Sequence, residues 1–484
     1  MQSFSEADRR QWQESQDLQD LKDNRTACSS RKQEIFKKLL LACVAARRGF
    51  TSFMGFRREM HFQIGAFPRG VYVSKSMTRA SDMMFAIMRK LGHEVVAWDE
   101  EALVHLPPEI YYSRRLSAEA MQMVSHFFAW GEDSAELWRR YPRFPAGTPV
   151  HVTGNPRCDL LRSELHAFYE ADVRNIRARF GDFILINTNF NHVNGFSPVQ
   201  NLFQPCHDPG EEPQFGRAAH GMTREYAEGL QTLKRSVFSA FQQMIPALET
   251  AFPDHMLVVR PHPTENPEVY RRIAEQCTRV RVTNEGNVVP WLLATKVLIH
   301  NGCTTGVEAY VMGVPAVSYR AYVDEDYDYG FYRLPNLVSH QVFSLEELQP
   351  LLNEILAGKI GAADGQDHKA VIDRHLAALD GKLACERIVD VLETMGRDDN
   401  RIARPAWHRR MQGRLWASAR ALVKRTKAHL PRSHNKPAFQ RHRYPEISVE
   451  DMRSRVQRFQ SLLGSSVELS IEPIQGKFFR IGAC

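Results

Sequence analysis

MLVVRPHPTEN (residues 256–266) and VLIHNGCTTGVEAYVMGVPAVSY (residues 297–319) are built alike. Each opens on a short apolar, β-branched run that breaks off into small and polar residues. The second then continues through a helix-length segment into another apolar run. The cadence is strand, loop, helix, strand. In an open parallel sheet a ligand sits beyond the carboxyl ends of the strands, above all where a loop feeds a helix N-terminus. Arg260, His262, Pro263, Glu265, Asn301, Gly302, Thr304, Thr305 and Glu308 fall at such ends. The two stretches therefore predict a pocket for a nucleotide phosphate.

The same cadence repeats on both sides. IFKKLLLACVAARRG predicts an amphipathic helix closed by Gly49, and FTSFMGF a strand. PRGVYVSKSMTRA, then SDMMFAIMRKLGHEVVAWDEE, MVSHFFAWGEDSAELWRRYP and PVHVTGNPRCDLLRSEL each couple a strand to a helix. A second series begins with FILINTNF (183–190) and runs through a long helix, REYAEGLQTLKRSVFSAFQQMIPALETAF, to about residue 395. Alternation of this length predicts parallel sheets covered on both faces. The predicted organisation is a flexible extension over 1–31 and Rossmann-like domains over 32–175 and 176–395. A basic linker and C-terminal helix follow over 396–484, the helix being SVEDMRSRVQRFQSLLG with a Ser448/Asp451 cap.

Composition narrows the class. The 484 residues are 43% hydrophobic and 25% charged, as in a globular protein, and no apolar run nears the roughly 18–20 residues that span a bilayer. The N-terminus is polar and mixed in charge, and the eight cysteines are scattered without a CxxC pair. Both features predict a cytoplasmic chain with reduced thiols. Between Arg401 and Arg443 stand thirteen Lys/Arg and no acid; removing them from the overall +7 leaves −6 elsewhere. That block, interleaved with Trp407, Trp416 and Phe439, predicts contact with an anionic inner-membrane surface in preference to nucleic acid, or else a solvated segment.

In RPHPTEN, prolines stiffen a loop that presents His262 and Glu265; imidazole supports a phosphate and a carboxylate holds ribose hydroxyls. In NGCTTGVEA the glycines allow close backbone approach, while Thr304 and Thr305 stand at a helix N-terminus with Glu308 one turn inside. The competing readings are a proline-rich turn and a capping box from Thr305 to Glu308. The Walker lysine is missing, which argues against ATP hydrolysis. Asn187 and Asn189, in INTNFNHVNGF, offer amides to a sugar or phosphate. For acid–base chemistry the first half offers Asp99, Glu100, Glu101 and Glu132, one of which is expected to serve. Lys75 and Arg79 are candidates for an anionic acceptor. The histidine and carboxylate spacing predicts no metal site.

The set PRGVYVSKSMTR, FFAWG, VTGNPRCDLLR, FILINTNFN, VVRPHPTEN and HNGCTTGVEAYVMGVPAVSY, with the tail RYPEISVEDMRSRVQRFQSLLG, resembles the bacterial surface carbohydrate biosynthesis proteins of capsule and lipopolysaccharide assembly. That resemblance implies an α/β GT-B-like architecture, two Rossmann-like domains facing a cleft, and metal-independent glycosyl transfer. A looser similarity extends to Kdo and sialic acid transferases, which hold CMP with an HP motif and a Ser/Thr motif. His262-Pro263 matches the first, and Thr304-Thr305 stands for the second. The implied substrates are a nucleotide-sugar, CMP-linked, and a glycan or lipid-linked acceptor, with no further cofactor. The related alternatives are a CDP-glycerol-type glycerophosphotransferase, a nucleotide-sugar epimerase, and a non-catalytic assembly protein.

Overall fold

The computed structural model describes residues 28–205, 212–328, 333–397, 405–427, 448–464, 466–474 and 478–484. The predicted flexible extension lies outside them up to residue 27. So does the basic block at 401–404 and 428–443.

Among the described residues thirteen strands arrange in three sheets: β1 (Ser52–Gly55), β2 (Val71–Ser74), β3 (Glu94–Ala97), β4 (His126–Ala129), β5 (Val150–Val152), β6 (Phe183–Asn187), β7 (Met256–Arg260), β8 (Val280–Val282), β9 (Val297–His300), β10 (Ala316–Tyr319), β11 (His340–Val342), β12 (Leu469–Ile474) and β13 (Phe478–Ala483). The first half holds a parallel sheet in the order β2-β3-β4-β5, and the second a parallel sheet in the order β11-β10-β9-β6-β7-β8. Both are buried on both faces, because successive side chains of a strand point to opposite sides. In the second sheet Ile184, Ile186, Leu257, Val259 and Ile299 feed one core, while Phe183, Leu185, Val258 and Leu298 feed the other.

Two predictions need correcting. The helix Cys28–Arg47 is not amphipathic in its setting: every residue from Phe36 to Ala46 is buried, including Lys37 and Lys38. It packs against β13 and the helices Ala384–Arg397 and Val449–Leu462, and Lys37 forms an ion pair with buried Glu100. Being enclosed on all sides, it needs no polar face. Second, no strand is expected after residue 396, yet β12 and β13 form a hairpin there. β1 pairs antiparallel with β13, Phe53 opposite Arg480, in a small separate sheet. The predicted C-terminal helix, Val449–Leu462, buries Met452, Val456 and Phe459, with the Phe459 ring stacked 4.3 Å from Phe168. The chain end is thus woven into the first half.

Residues 374–385 tie the halves together. Buried Asp159 accepts from the backbone N–H groups of Ala384 (2.7 Å) and Cys385 (2.9 Å) at the start of the helix Ala384–Arg397. Burial lifts its carboxyl to about 6, against the pull of those two bonds. Just before this, the backbone at His375 and Ala377 presses on the turns after β4 and β5, where Ala377 N–H donates to Trp130 O at 2.7 Å. Only a residue without Cβ fits there: a methyl at Gly131 would run into the His375 carbonyl. One at Gly154 (φ +81°) would lie 2.5 Å from Ala377 O. The glycines of FFAWG and VTGNP are therefore required by this crossing. Gly131→Ala and Gly154→Ala should each destabilise the protein by about 1–3 kcal/mol through overpacking, lowering the thermal unfolding midpoint. Alanine at Gly147, where nothing lies near the added methyl, should fall at the mild end.

Candidate functional site

The strand order of the second sheet reverses at its centre. From β6 the chain steps outward to β7 and β8, then returns to lay β9 on the other side of β6. That reversal opens a crevice at the carboxyl ends of β6 and β9. Asn187 pairs with His300 across it, and Asn189 N–H donates to Asn301 Oδ1 at 2.9 Å, so the two loops are stitched together just beyond the sheet. Asn187 is buried, and its Oδ1 has no hydrogen-bond partner. A buried acceptor left unmatched costs about 1–3 kcal/mol.

The loop after β7 is organised by Glu265, which is wholly buried. Its carboxylate accepts from Thr188 Oγ1 (2.9 Å), Tyr270 Oη (2.7 Å) and the His262 N–H (3.0 Å), clamping the β6 and β7 loops to each other. Burial raises this carboxyl, and those bonds oppose the rise. His262 is half-buried, and burial, with help from the positive charge of Lys234, drops its imidazole to about 4. The Thr264 N–H donates to His262 Nδ1 at 3.2 Å. Nδ1 must then be bare, and the neutral ring carries its hydrogen on Nε2. Arg260 takes another part: its guanidinium lies 4.6 Å over the Trp291 ring and donates to Glu285 O at 2.9 Å, inside the domain.

The loop after β9 hangs on His300. The Gly302 N–H donates to His300 Nδ1 (3.0 Å), and Nε2 meets Ser339 Oγ (2.9 Å), whose hydroxyl donates on to Pro335 O. Gly306 leaves room for that ring, since a methyl there would sit 2.5 Å from Nε2. The helix Thr304–Val311 starts with Cys303 at its cap and no side-chain capping bond, so the predicted capping box is not formed. Glu308 is buried and bound instead by Arg157 of the first half, at 2.8 Å through Nε and 2.6 Å through Nη2. The VTGNPR motif therefore reaches the second half through this ion pair. Thr304 and Thr305, at the start of this helix, are half-buried.

One residue escaped the sequence reading. In the helix Arg224–Ala251 the buried stripe runs Ala227, Leu230, Lys234, Phe241, Ile245 and Leu248. A lysine within an apolar stripe at helical spacing was the available signal. Lys234 lines a small cleft, open to solvent, with Phe190, Asn301, Tyr319, Arg320, Tyr322 and Asn336. Burial lowers its ammonium to about 7, against the attraction of Glu265. His192, from the INTNFNH loop, is held far below its usual range by burial and then by Lys234, Arg114 and His262.

In the first half, the candidate acids are spread out. Asp99 is fully buried and accepts from Tyr111 Oη (2.7 Å) and from Arg115 through Nε (3.2 Å) and Nη2. Glu100 is buried between Lys37 and the Trp98 indole. Glu132 is exposed and paired with Arg139 at 2.6 Å. Glu101 is exposed on the loop after β3. Lys75 is buried at the end of β2, while Arg79 is exposed. Among the described residues no group of three or more His, Cys, Asp or Glu is placed to hold a metal ion.

No protein-family model matches the chain, and no curated protein does. Among solved structures it is similar to the wall teichoic acid polymerase TagF, with a TM-score of 0.50 at 10% identity over 81% of this chain and 90% of that one. A variant of that polymerase soaked with CDPG aligns with a TM-score of 0.49 at 10% identity, over 82% and 91%. The UDP-GlcNAc 2-epimerase from Neisseria meningitidis bound to UDP-GlcNAc gives 0.44 at 13%, over 80% and 99%. At such identities the likeness to the polymerase speaks for the fold alone, an α/β GT-B-like arrangement of two Rossmann-like domains.

The tautomer of His262 is open to direct measurement. Nitrogen-15 NMR at pH 7 should find a neutral ring protonated on Nε2, and titration should not charge it until the pH falls towards about 4.

Proposed function

We propose that the chain is a glycosyltransferase of surface polysaccharide synthesis. It would move a sugar from a nucleotide donor, a CMP-linked acidic sugar, to a glycan or lipid-linked acceptor. The observation that carries the reading is the orphaned, buried Asn187 Oδ1 at the centre of the strand reversal. Beyond the ends of β6, β7 and β9 follow Asn189, His262-Pro263, Asn301 and Gly302, and the helix start at Thr304.

On this reading His262 acts as a neutral Nε2–H donor to a phosphate oxygen, since its depressed basicity removes any cationic role near pH 7. The start of the helix at Thr304 would take up charge developing on the departing phosphate. The acceptor proton would go to a carboxylate of the first half. Asp99, Glu100 and Glu132 are engaged with Arg115, Lys37 and Arg139, and the candidates for that part are these three and Glu101. The second reading, a CDP-glycerol-type glycerophosphate transfer, draws its support from the fold shared with the wall teichoic acid polymerase.

Isothermal titration with CMP, CDP and UDP separates these readings. CMP should bind the wild type, and His262→Ala should weaken it about tenfold, the worth of one hydrogen bond to a charged group. Preference for CDP over CMP would support the glycerophosphate reading. Absence of any nucleotide binding would overturn every enzymatic version and leave a non-catalytic assembly protein.

The proposal extends to the inner-membrane surface through the basic segment. No helix among the described residues is long and apolar enough to cross a membrane. The helix Trp407–Lys427 packs on the helix Asp82–Leu91 through Gly413, Ala417 and Ala421. It exposes Trp407, Met411, Leu415 and Leu422, which fall within about a quarter of its circumference. Seven Lys/Arg and no acid accompany them. An apolar stripe flanked by cations fits an interface of anionic lipid. In vesicle flotation the wild type should rise with phosphatidylglycerol vesicles and remain behind with phosphatidylcholine ones. The triple variant Trp407→Ser, Leu415→Ser, Leu422→Ser should lose most of that binding, and equal flotation of both proteins would count against the contact.

A further inference from the structure

The helix Trp407–Lys427 has an inner side as well, which rests on the short helix Arg57–Gln63 and the turn Ile64–Ala66. The seam is basic from both directions. The long helix brings seven Lys/Arg and no acid, and segment 57–70 adds three arginines and one acid, Glu59. Arg425 lies over the Phe62 ring at 5.8 Å, and the Arg414 stem would stand 3.9 Å from a methyl on Gly65. Two buried imidazoles record the sign of the field. His61 is pushed far below its usual range by burial, then by Arg57, Arg420 and Lys424. His93 falls to about 3 through burial, with Arg69 and Arg410 adding to the fall against a bond to the Ile64 backbone.

Arg57 is the residue that the packing of this seam does not account for. It is only 9% exposed, and its Nη1 is buried with no hydrogen-bond partner among the described residues. Arg57 and His61 stand four apart on one face of their helix, the face on which Arg420 and Lys424 also act. Glu59, two residues on, projects from another face. A charge taken out of water is costly unless acceptors replace the water, and here the surroundings bring more cations. A guanidinium is a planar fork of donors without an acceptor, and it fits two oxygens of a phosphate at once. Arg420 and Lys424, one turn apart on the long helix, lie about 140–180° around it from the centre of the exposed apolar stripe. The seam and the lipid-facing stripe are therefore different surfaces.

We propose that the seam between the helices Arg57–Gln63 and Trp407–Lys427 binds a phosphate group, with the Arg57 guanidinium as its central donor. The phosphate oxygens supply the acceptors that the fold does not give Arg57, while the cations of the long helix set a positive potential around it. This site goes beyond the transferase reading and does not depend on it, since none of its residues belongs to the crevice of the second half. The phosphate has two candidate sources, a soluble phosphorylated compound and the headgroup of an anionic lipid, and the same fork serves either.

The test compares the full chain as wild type, Arg57→Met and Arg57→Lys, each first shown to be folded by its thermal melt in phosphate-free buffer. Methionine keeps the apolar stem and removes the charge; lysine keeps the charge and loses the fork. Inorganic phosphate and glycerol 3-phosphate are followed by titration calorimetry and by the melt, with chloride at equal ionic strength as control. The wild type should bind at least one of them and melt higher in its presence. Affinity should fall about tenfold or more in Arg57→Met, and about threefold in Arg57→Lys, which decides alone if the methionine variant does not fold. Flotation with vesicles of phosphatidylglycerol in phosphatidylcholine separates the sources. Soluble binding lost in the variants with flotation unchanged assigns a soluble phosphate. No soluble binding by the wild type, with flotation reduced in both variants, assigns the lipid headgroup. Loss of both assigns the phosphate group itself, whichever molecule carries it. Soluble binding and flotation equal in all three proteins overturn the site, as does a wild type that neither binds a soluble phosphate nor floats better than the variants.

Discussion

The pairing of β6 with β9 is the constraint on which the candidate site depends. Consecutive elements usually lie side by side, and the second half obeys that from β6 through β8 before the chain crosses back to place β9 against β6. Two loops far apart in sequence, 187–192 and 300–303, thereby come to flank one crevice, and the Asn189–Asn301 bond records their contact. The turn after β7 joins them only because Glu265 draws together Thr188, Tyr270 and the His262 backbone. Had β9 been added at the β8 edge, the same residues would have formed unrelated surface turns.

Several charged groups of this molecule are buried, and each meets a partner inside the fold. Glu100 and Lys37 meet inside the first half, Asp99 holds Arg115 and Tyr111, Asp159 caps a helix, and Glu308 meets Arg157 between the halves. Breaking such a pair by removing one partner leaves a stranded charge, which is far more damaging than losing a surface pair. These carboxylates are therefore tied to architecture. Lys234 is different in kind: it is as deeply buried, yet it borders open space. The neutral imidazoles of His262 and His300 follow from the same cause, desolvation, and each uses its Nδ1 to accept a backbone N–H that shapes its loop.

Short continuous apolar runs ending in Gly, Pro or Asn made the strands of the two parallel sheets largely readable, because a doubly covered strand must be apolar along its length. The hairpin β12–β13 was not readable in that way. LSIEPI and FFRIGA are short and mixed, and β13 is recognisable as structure only beside β1, more than four hundred residues earlier. The helix Cys28–Arg47 misled for the opposite reason. Its lysines suggest a wet face, but one of them sits against Glu100 and the rest of the molecule encloses them both.

For the site, sequence alone could place polar residues at strand ends, since that follows from the change of hydrophobic period and from proline and glycine punctuation. It thereby determined which residues were available to a cleft, and it located His262 and Asn301 on loops and Thr304 at a helix start. Only the tertiary structure decided what each side chain does there. Arg260 and Glu308 are of the same type and at the same kind of position as the others, yet one lies on Trp291 and the other binds Arg157. Lys234 sits mid-helix, far from any motif, and faces the crevice. The physical reason is that hydrophobic patterning specifies which face of an element is buried, whereas a charged group's partner is set by distances across the fold, and those exist only once the sheets have closed.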